Sequence, residues 1–311
     1  MTQGLIPDMK INFQNKVAII TGAGHGLGRS YALFLASQGA KVVVNDLGGK
    51  GNGAGKSEAP AQRVVEEIKA SGGKAVANME SVAEVQGAQR IVEDAIKHFG
   101  SVEILINNAG ILRDRTFLKM PLTDFELVLK VHLLGSVYVT RAAFPVMKER
   151  GYGRIVMTTS AAGLFGNFGQ TNYGAAKMGV VGFMNALKLE GEKYNILTNT
   201  IAPLAYTRLA DPSGVFPDEI VPLLKPELVT PLVAYLCSEE CRASGDIISA
   251  GGGHFAGVKM MEGPGLRFDP HEEITPETIA ERYDAIMDME GAIPIRSARD
   301  ELRISLGHLM N

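Results

Sequence analysis

The chain has 311 residues, 46% of them hydrophobic and 21% charged, enough for one large α/β domain with a sizeable core. Its 31 Lys and Arg against 34 Asp and Glu leave a net charge of −3, without the basic excess that a nucleic-acid surface needs. The two cysteines, Cys237 and Cys241, have no further Cys or His at zinc spacing, so they read as core or half-exposed thiols rather than as a metal site, and their scarcity suits a reducing compartment.

Along the chain, short apolar runs alternate with helical patterns: VAII (17–20), KVVVN (41–45), KAVAN (74–78), VEILIN (102–107), RIVMTT (154–159), ILTNTIA (196–202) and DIISA (246–250). Runs this short, β-branched and continuously apolar fit strands buried on both faces, and the alternation fits a parallel sheet with right-handed crossovers. The expected fold is a Rossmann-type, doubly wound α/β sheet of seven parallel strands. Ser81 with Glu84, and Thr123 with Glu126, have capping-box spacing, while Gly39, Gly72 and Gly100 follow helical segments as stops. The periodic region ends near His254, and GPGLRFDPH leads into two amphipathic patterns. The first, TPETIAERYDAIMDM, has Thr275 as cap and Pro276 at its first position; the second, SARDELRISLGHLM, has Ser297 and Asp300 at capping-box spacing. No apolar run approaches the roughly 18 residues of a membrane span. MTQGLIPDMKINFQNK lacks the regions of a signal peptide, and HLMN is not a peroxisomal address. The expectation is a cytoplasmic protein.

The first strand leads into TGAGHGLG (21–28) and then a helical run, the context a dinucleotide fingerprint requires. Gly22 permits the tight turn, Gly26 lets backbone amides close on a pyrophosphate, and Gly28 lets the helix pack on the sheet. The pyrophosphate meets unpaired N–H groups at the helix start, beside Leu27. Asp46 ends the next strand, 24 positions beyond Gly22, where a carboxylate accepts the hydroxyls of an adenosine ribose. It opposes a 2′-phosphate, since two like charges at about 4 Å cost roughly 4 kcal/mol at an effective dielectric near 20. NAD is therefore expected over NADP. GGKGNGAGKS imitates a phosphate-binding P-loop, but Lys50 stands where its first glycine belongs, and the stretch reads as a flexible loop near the adenosine end. Residues 1–254 then read as a dinucleotide-binding and catalytic domain, and 255–311 as its helical extension.

Ser160 ends the apolar run RIVMTTS, and Tyr173 and Lys177 stand four apart in a helical segment, on one face. A free tyrosine, with a pKa of about 10, is a poor base at neutral pH, and a nearby ammonium favours the phenolate. The bland alternative is a surface helix with an incidental Tyr/Lys pair.

TGAGHGLG, Asp46, NNAG (107–110), Ser160 and YGAAK (173–177) together resemble the short-chain dehydrogenase/reductase family over residues 16 to about 254. VVVNDLGG, NNAGILRDRTFLKM, GLFGNFGQTNYGAAK and NTIAPLAYTRL are similar to its (3R)-hydroxyacyl-CoA dehydrogenase branch, found in multifunctional enzymes, and the tail resembles that branch's helical extension. The resemblance implies Tyr173 as general acid/base, Lys177 as the group that lowers its pKa and binds the nicotinamide ribose, and Ser160 as the holder of the substrate oxygen. It implies cofactor contacts from Asn108, Ala109, Gly110 and Thr207. Many members place a proton-relaying Asn where His132 stands; a core histidine satisfied by a carbonyl is the alternative. Glu80, followed by Ser81, replaces the usual Asp near the adenine, and Pro203-Leu204 replaces the usual Pro-Gly. Ile111, Leu112, Leu164, Phe165, Phe168, Tyr206 and Phe216 suggest an apolar pocket, and Arg113, Lys119 and Arg208 are candidates for a CoA phosphate. The implied reaction is NAD-dependent oxidation of a bulky lipid-like secondary alcohol, a (3R)-3-hydroxyacyl-CoA or a 17β-hydroxysteroid, by a homodimer or homotetramer with no membrane or nucleic-acid partner. A non-catalytic NAD(H) sensor on the same fold is the alternative from another class.

Overall fold

The computed structural model describes residues 11–207 and 217–306. Strands and helices alternate as β1 (Val17–Thr21), α1 (Gly26–Ser37), β2 (Lys41–Asn45), α2 (Ala59–Ala70), β3 (Lys74–Asn78), α3 (Val85–Phe99) and β4 (Ile104–Asn107). They continue as α4 (Leu122–Leu129), α5 (Gly135–Arg150), β5 (Gly153–Thr158), α6 (Ala161–Phe165), α7 (Thr171–Gly191), β6 (Ile196–Leu204), α8 (Thr230–Cys237), β7 (Ile247–Gly251) and β8 (His254–Val258). The sheet order is β3-β2-β1-β4-β5-β6-β7-β8, and β1 to β7 pair in parallel. Every residue of β1 and β4 is buried, as expected for strands covered by helices on both faces. The sheet has eight strands, one more than the apolar runs indicate. β8 follows β7 after only Gly252 and Gly253, both at positive φ, a connection that reverses the chain. Its residues are mostly exposed, so it lacks the apolar run that marks the others.

The strand order reverses between β2 and β5 around β1 and β4, and at such a switch point the carboxyl ends of the strands leave a crevice. Side chains stitch its floor. Thr21 Oγ1 accepts the Asn108 and Ala109 amides at 3.0 and 3.1 Å, and Asn108 Nδ2 donates to Thr21 O and Gly22 O at 3.0 and 3.1 Å. Gly28 packs α1 against this stitch: a Cβ there would stand 2.4 Å from Gly22 O and 2.6 Å from Asn108 Nδ2.

Two expected capping boxes do not form. Ser81 Oγ accepts the Ala83 amide in a turn, and α3 starts after Glu84 without a side-chain cap. α4 starts at Leu122 behind Pro121, which leaves Thr123 inside the helix. Gly100 does close α3, with φ 84°. α4 and α5 join through a π-helical turn, Lys130–Leu134, that holds His132. The resulting Leu122–Arg150 helix, whose most apolar 18-residue window has mean hydropathy 1.3, is long and apolar enough to cross a membrane by length and composition. Within it Val128, His132, Val139, Ala143 and Met147 are buried inside the protein.

The chain divides into one unit ending at Gly257 and a second beginning at Val258. The second holds a short antiparallel ladder of β9 (Met261–Glu262) with β10 (Ile293–Pro294), and the helices α9 (Pro276–Ile286) and α10 (Ala298–Leu306). Both helix starts are capped as the sequence indicates: Thr275 Oγ1 accepts the Thr278 amide and Ser297 Oγ accepts the Asp300 amide, each at 3.2 Å. Neither helix buries a residue among the described ones.

Asn108→Ala removes two hydrogen bonds from the stitch at about 1 kcal/mol each. Urea unfolding is expected to show a loss of about 2 kcal/mol with an unchanged m-value.

Candidate active site

A cavity of about 310 Å³ opens in the switch-point crevice. Gly22, Gly26, Leu27, Asp46, Glu80, Ser81, Asn108, Ala109, Gly110 and Thr207 all line it, so most of the expected cofactor residues meet in one place. The geometry suits a dinucleotide. No side chain caps the start of α1 and no acidic residue lies in its first turn, which leaves the positive end of the helix dipole facing the cavity. Gly26 at φ 51° has no room for a larger residue, since a Cβ would press within 3.1 Å of Thr207 Cγ2. Asp46 does more than its position suggests. Its Oδ2 accepts the Gly24 amide at 2.8 Å and its Oδ1 the Gly48 amide at 2.7 Å, fixing the glycine turn and the next loop together.

Two expectations at this cavity need correction, at Pro203 and at the 47–57 loop. Pro203 is not in its wall: β6 runs straight through Pro203 and Leu204, which pair with Ala250 and Gly251, so no turn forms there. Glu80 lines the cavity, but its Oε2 is held by Arg90 at 2.7 Å, and that hydrogen bond keeps the carboxyl below the usual carboxylate range. The loop of residues 47–57 is not loosely held. Ser57 N donates to Leu47 O at 3.1 Å and Lys50 N to Ala54 O at 2.8 Å, and a Cβ on Gly48 would collide with Ser57 O at 1.8 Å.

Ser160 caps α6 by accepting the Ala162 amide at 3.2 Å, and its hydroxyl acts on the Tyr173 phenol to lower that group's pKa. Lys177 is buried on the next turn of α7 from Tyr173, its Nζ donating to Thr158 O at 2.6 Å and lying 5.5 Å from the Tyr173 ring centre. The surroundings act differently from the simple ammonium argument. Burial pushes the Tyr173 phenol up to about 12; the Ser160 bond pulls it down and nearby Asp114 pushes it further up. Burial lowers Lys177 to about 7. The phenol therefore holds its proton at neutral pH, and Lys177 is not among the groups that lower it.

His132 is buried, its ring edge-on to Tyr173 with centres 5.1 Å apart. Its Nε2 faces both main-chain groups of Ile111, the amide at 3.0 Å and the carbonyl oxygen at 2.8 Å, while Nδ1 is buried without a partner. Burial, then the charge of Lys177, hold its pKa well below the usual histidine value, so it is neutral. Gly110 is needed beside it, because a Cβ there would lie 2.3 Å from His132 Cε1.

The substrate side is only partly assembled. Leu112 and Tyr206 are half-buried, whereas Phe165 and Phe168 are 73% and 88% exposed and form an open apolar rim rather than a pocket wall. Arg208 and Phe216 lie outside the described residues. Arg113 is committed to Asp124 at 2.5 Å and to Asn52 O at 2.9 Å, and is not free for a phosphate. Sequence reading misses Asn172, fully buried next to the tyrosine. Its Oδ1 accepts the Tyr173 amide at 2.7 Å and its Nδ2 donates to Arg113 O at 3.0 Å. The only available signal is its place just before Tyr173.

Because Lys177 titrates near 7 in the folded chain and at about 10.5 when free in water, the unfolded state binds more protons between these pH values, and stability rises with pH across that window. Lys177→Met removes this component. Thermal melts are expected to show the variant gaining most over the parent chain below pH 7, with the gain shrinking towards pH 10.

Residues 16–210 match the family model for short chain dehydrogenase. A putative short-chain type dehydrogenase/reductase of Mycobacterium tuberculosis is 50% identical over 279 residues, 90% of this chain and 96% of that protein. The peroxisomal multifunctional enzyme type 2 of Drosophila melanogaster is 48% identical over 287 residues, 92% of this chain but 47% of that protein. Its full-length structure superposes with a TM-score of 0.81 at 39% identity, over 96% of this chain and 50% of that one. The chain thus spans about half of this multifunctional relative. A 7α-hydroxysteroid dehydrogenase solved with NADH and 7-oxo glycochenodeoxycholic acid superposes with a TM-score of 0.69 at 30% identity, over 78% of this chain and 95% of that one. With the glycine turn, the switch-point cavity and Ser160, Tyr173 and Lys177 on adjoining elements, these matches make the chain a member of the short-chain dehydrogenase family, an oxidoreductase that uses a nicotinamide dinucleotide.

Proposed function

We propose that the chain oxidises a (3R)-3-hydroxyacyl-CoA to the 3-oxoacyl-CoA with NAD as hydride acceptor. The observation that carries this reading is the convergence of Ser160, Tyr173 and Lys177, with the Ser160 hydroxyl acting on the Tyr173 phenol and Lys177 one turn away, next to a cavity whose β2 end presents Asp46. The branch resemblance of the NNAGILRDRTFLKM and GLFGNFGQTNYGAAK segments supports the acyl-CoA class, and so does the match to a multifunctional enzyme. The apolar rim of Phe165 and Phe168 fits an acyl chain lying at the surface.

The dinucleotide supplies the redox chemistry, taking a hydride from the carbinol carbon. The chain's own residues do the rest. Ser160 and Tyr173 together hold the alcohol oxygen, and Tyr173 takes its proton as the carbon–hydrogen bond breaks. Burial pushes the phenol up to about 12, so Tyr173 has to release its own proton to solvent before it can act as the base, and the Ser160 hydroxyl, which pulls the phenol down, favours that release. His132, neutral and bonded to Ile111, fixes residues 110–111 and the edge of the tyrosine ring. Asp46 receives the adenosine ribose and disfavours a 2′-phosphate.

A second reading, oxidation of a 17β-hydroxysteroid, is favoured by the structural likeness to a hydroxysteroid dehydrogenase solved with its steroid. Parallel assays of NAD reduction are expected to show turnover with a (3R)-3-hydroxyacyl-CoA and little with a 17β-hydroxysteroid; the reverse result selects the second reading. Tyr173→Phe is expected to bind NADH normally and lose at least about a thousandfold in kcat, in line with loss of a positioned acid/base. Asp46→Asn removes the charge and keeps one acceptor oxygen; titration with NADPH is expected to show at least about tenfold tighter binding than to the parent chain.

A further inference from the structure

The loop between β2 and α2 crosses to the far side of the dinucleotide cavity and is fastened there. Gly51 O accepts the Leu112 amide at 3.0 Å, and Asn52 O accepts Arg113 Nε at 2.9 Å. Gly53 lies against the Ile111 side chain, where an added Cβ would meet Cδ1 at 3.2 Å. Gly49, Gly51 and Gly53 line the cavity from one side, and Gly110 and Ile111 from the other. The loop and the segment after β4 therefore close a rim around the space where the dinucleotide lies.

Arg113 joins this rim to the catalytic elements. Its guanidinium is braced by Asp124 on α4, both side chains being largely shielded from solvent. Its main-chain oxygen accepts Asn172 Nδ2, and Asn172 in turn receives the amide of Tyr173. One residue thus touches the loop, α4 and the start of the tyrosine helix. Such a braced guanidinium loses little entropy on gripping a carbonyl, and a charged donor makes the stronger kind of hydrogen bond.

We propose that Arg113 is a positioning residue that latches the 47–57 loop across the bound dinucleotide and so sets how fast the dinucleotide leaves. The inference rests on the cavity holding a nicotinamide dinucleotide and is independent of which alcohol is oxidised. Opening the rim breaks the Arg113–Asn52 contact, so the contact resists departure from the cavity more than it affects the chemical step.

The test is stopped-flow release of NADH from the full chain without alcohol substrate, together with the equilibrium Kd for NADH and a thermal melt. R113A is expected to release NADH about tenfold faster and to bind it correspondingly more weakly, the size of effect that follows loss of a charged hydrogen bond. R113K, which keeps a charged donor, is expected to recover part of the slow release. An Arg113 that served only the stability of the fold would lower the melting temperature and leave release from the folded protein at the parent rate; that result overturns the latch. If R113A does not fold, R113M, which keeps the aliphatic stem and loses the charge, takes its place under the same criteria. Failure of the parent chain to bind NADH overturns the cofactor reading and the latch with it, whereas unchanged release from tightly bound NADH overturns the latch alone.

Discussion

Everything at the site hangs on the contact between the ends of β1 and β4. The Thr21 hydroxyl and the Asn108 carboxamide hold these two strand ends in one register, and the glycine turn and the NNAG segment can face each other only because of it. The approach is close enough to exclude side chains: a Cβ on Gly22 would stand 2.8 Å from Ala109 Cα. A parallel sheet leaves its strand ends unpaired at a switch point, and here short polar side chains satisfy those groups without filling the crevice.

From that floor the site grows outward in two directions. Towards the β2 end of the cavity, Asp46 uses both oxygens to bind main-chain amides of the glycine turn and of the next loop, so one carboxylate ties two walls of the cavity together. Towards the catalytic side, α7 is drawn onto β5 by Thr159 Oγ1, which donates to Lys177 O at 2.7 Å, and by Lys177 Nζ, which donates to Thr158 O. The π-helical turn at His132 lets one ring reach both the Ile111 main chain and the face of α7.

The sequence made the local parts legible. β1 to β7 announce themselves as buried apolar runs, the glycine turn by its flanks, and Asp46 by its distance from that turn. What stayed hidden depends on groups far apart in the chain. The 47–57 loop looks mobile from its glycines, yet its carbonyls find donors at Leu112 and Arg113, some sixty residues on. Ser81 has the spacing of a helix cap but spends its hydroxyl on a turn amide. β8 hides because an exposed edge strand carries no apolar run. Residue spacing puts Tyr173 and Lys177 one helical turn apart but says nothing of burial, which raises the phenol and lowers the amine.

Lys177 carries one more consequence. Burial lowers the Lys177 amine well below its usual range, towards about 7, and the unprotonated form of an amine is a nucleophile. A neutral amine condenses with aldehydes and ketones, so where that nitrogen points matters in an oxidoreductase. The short bond to Thr158 O turns the Lys177 nitrogen towards the strand. The Thr158 carbonyl thus acts as a chemical guard, holding that nitrogen against the main chain.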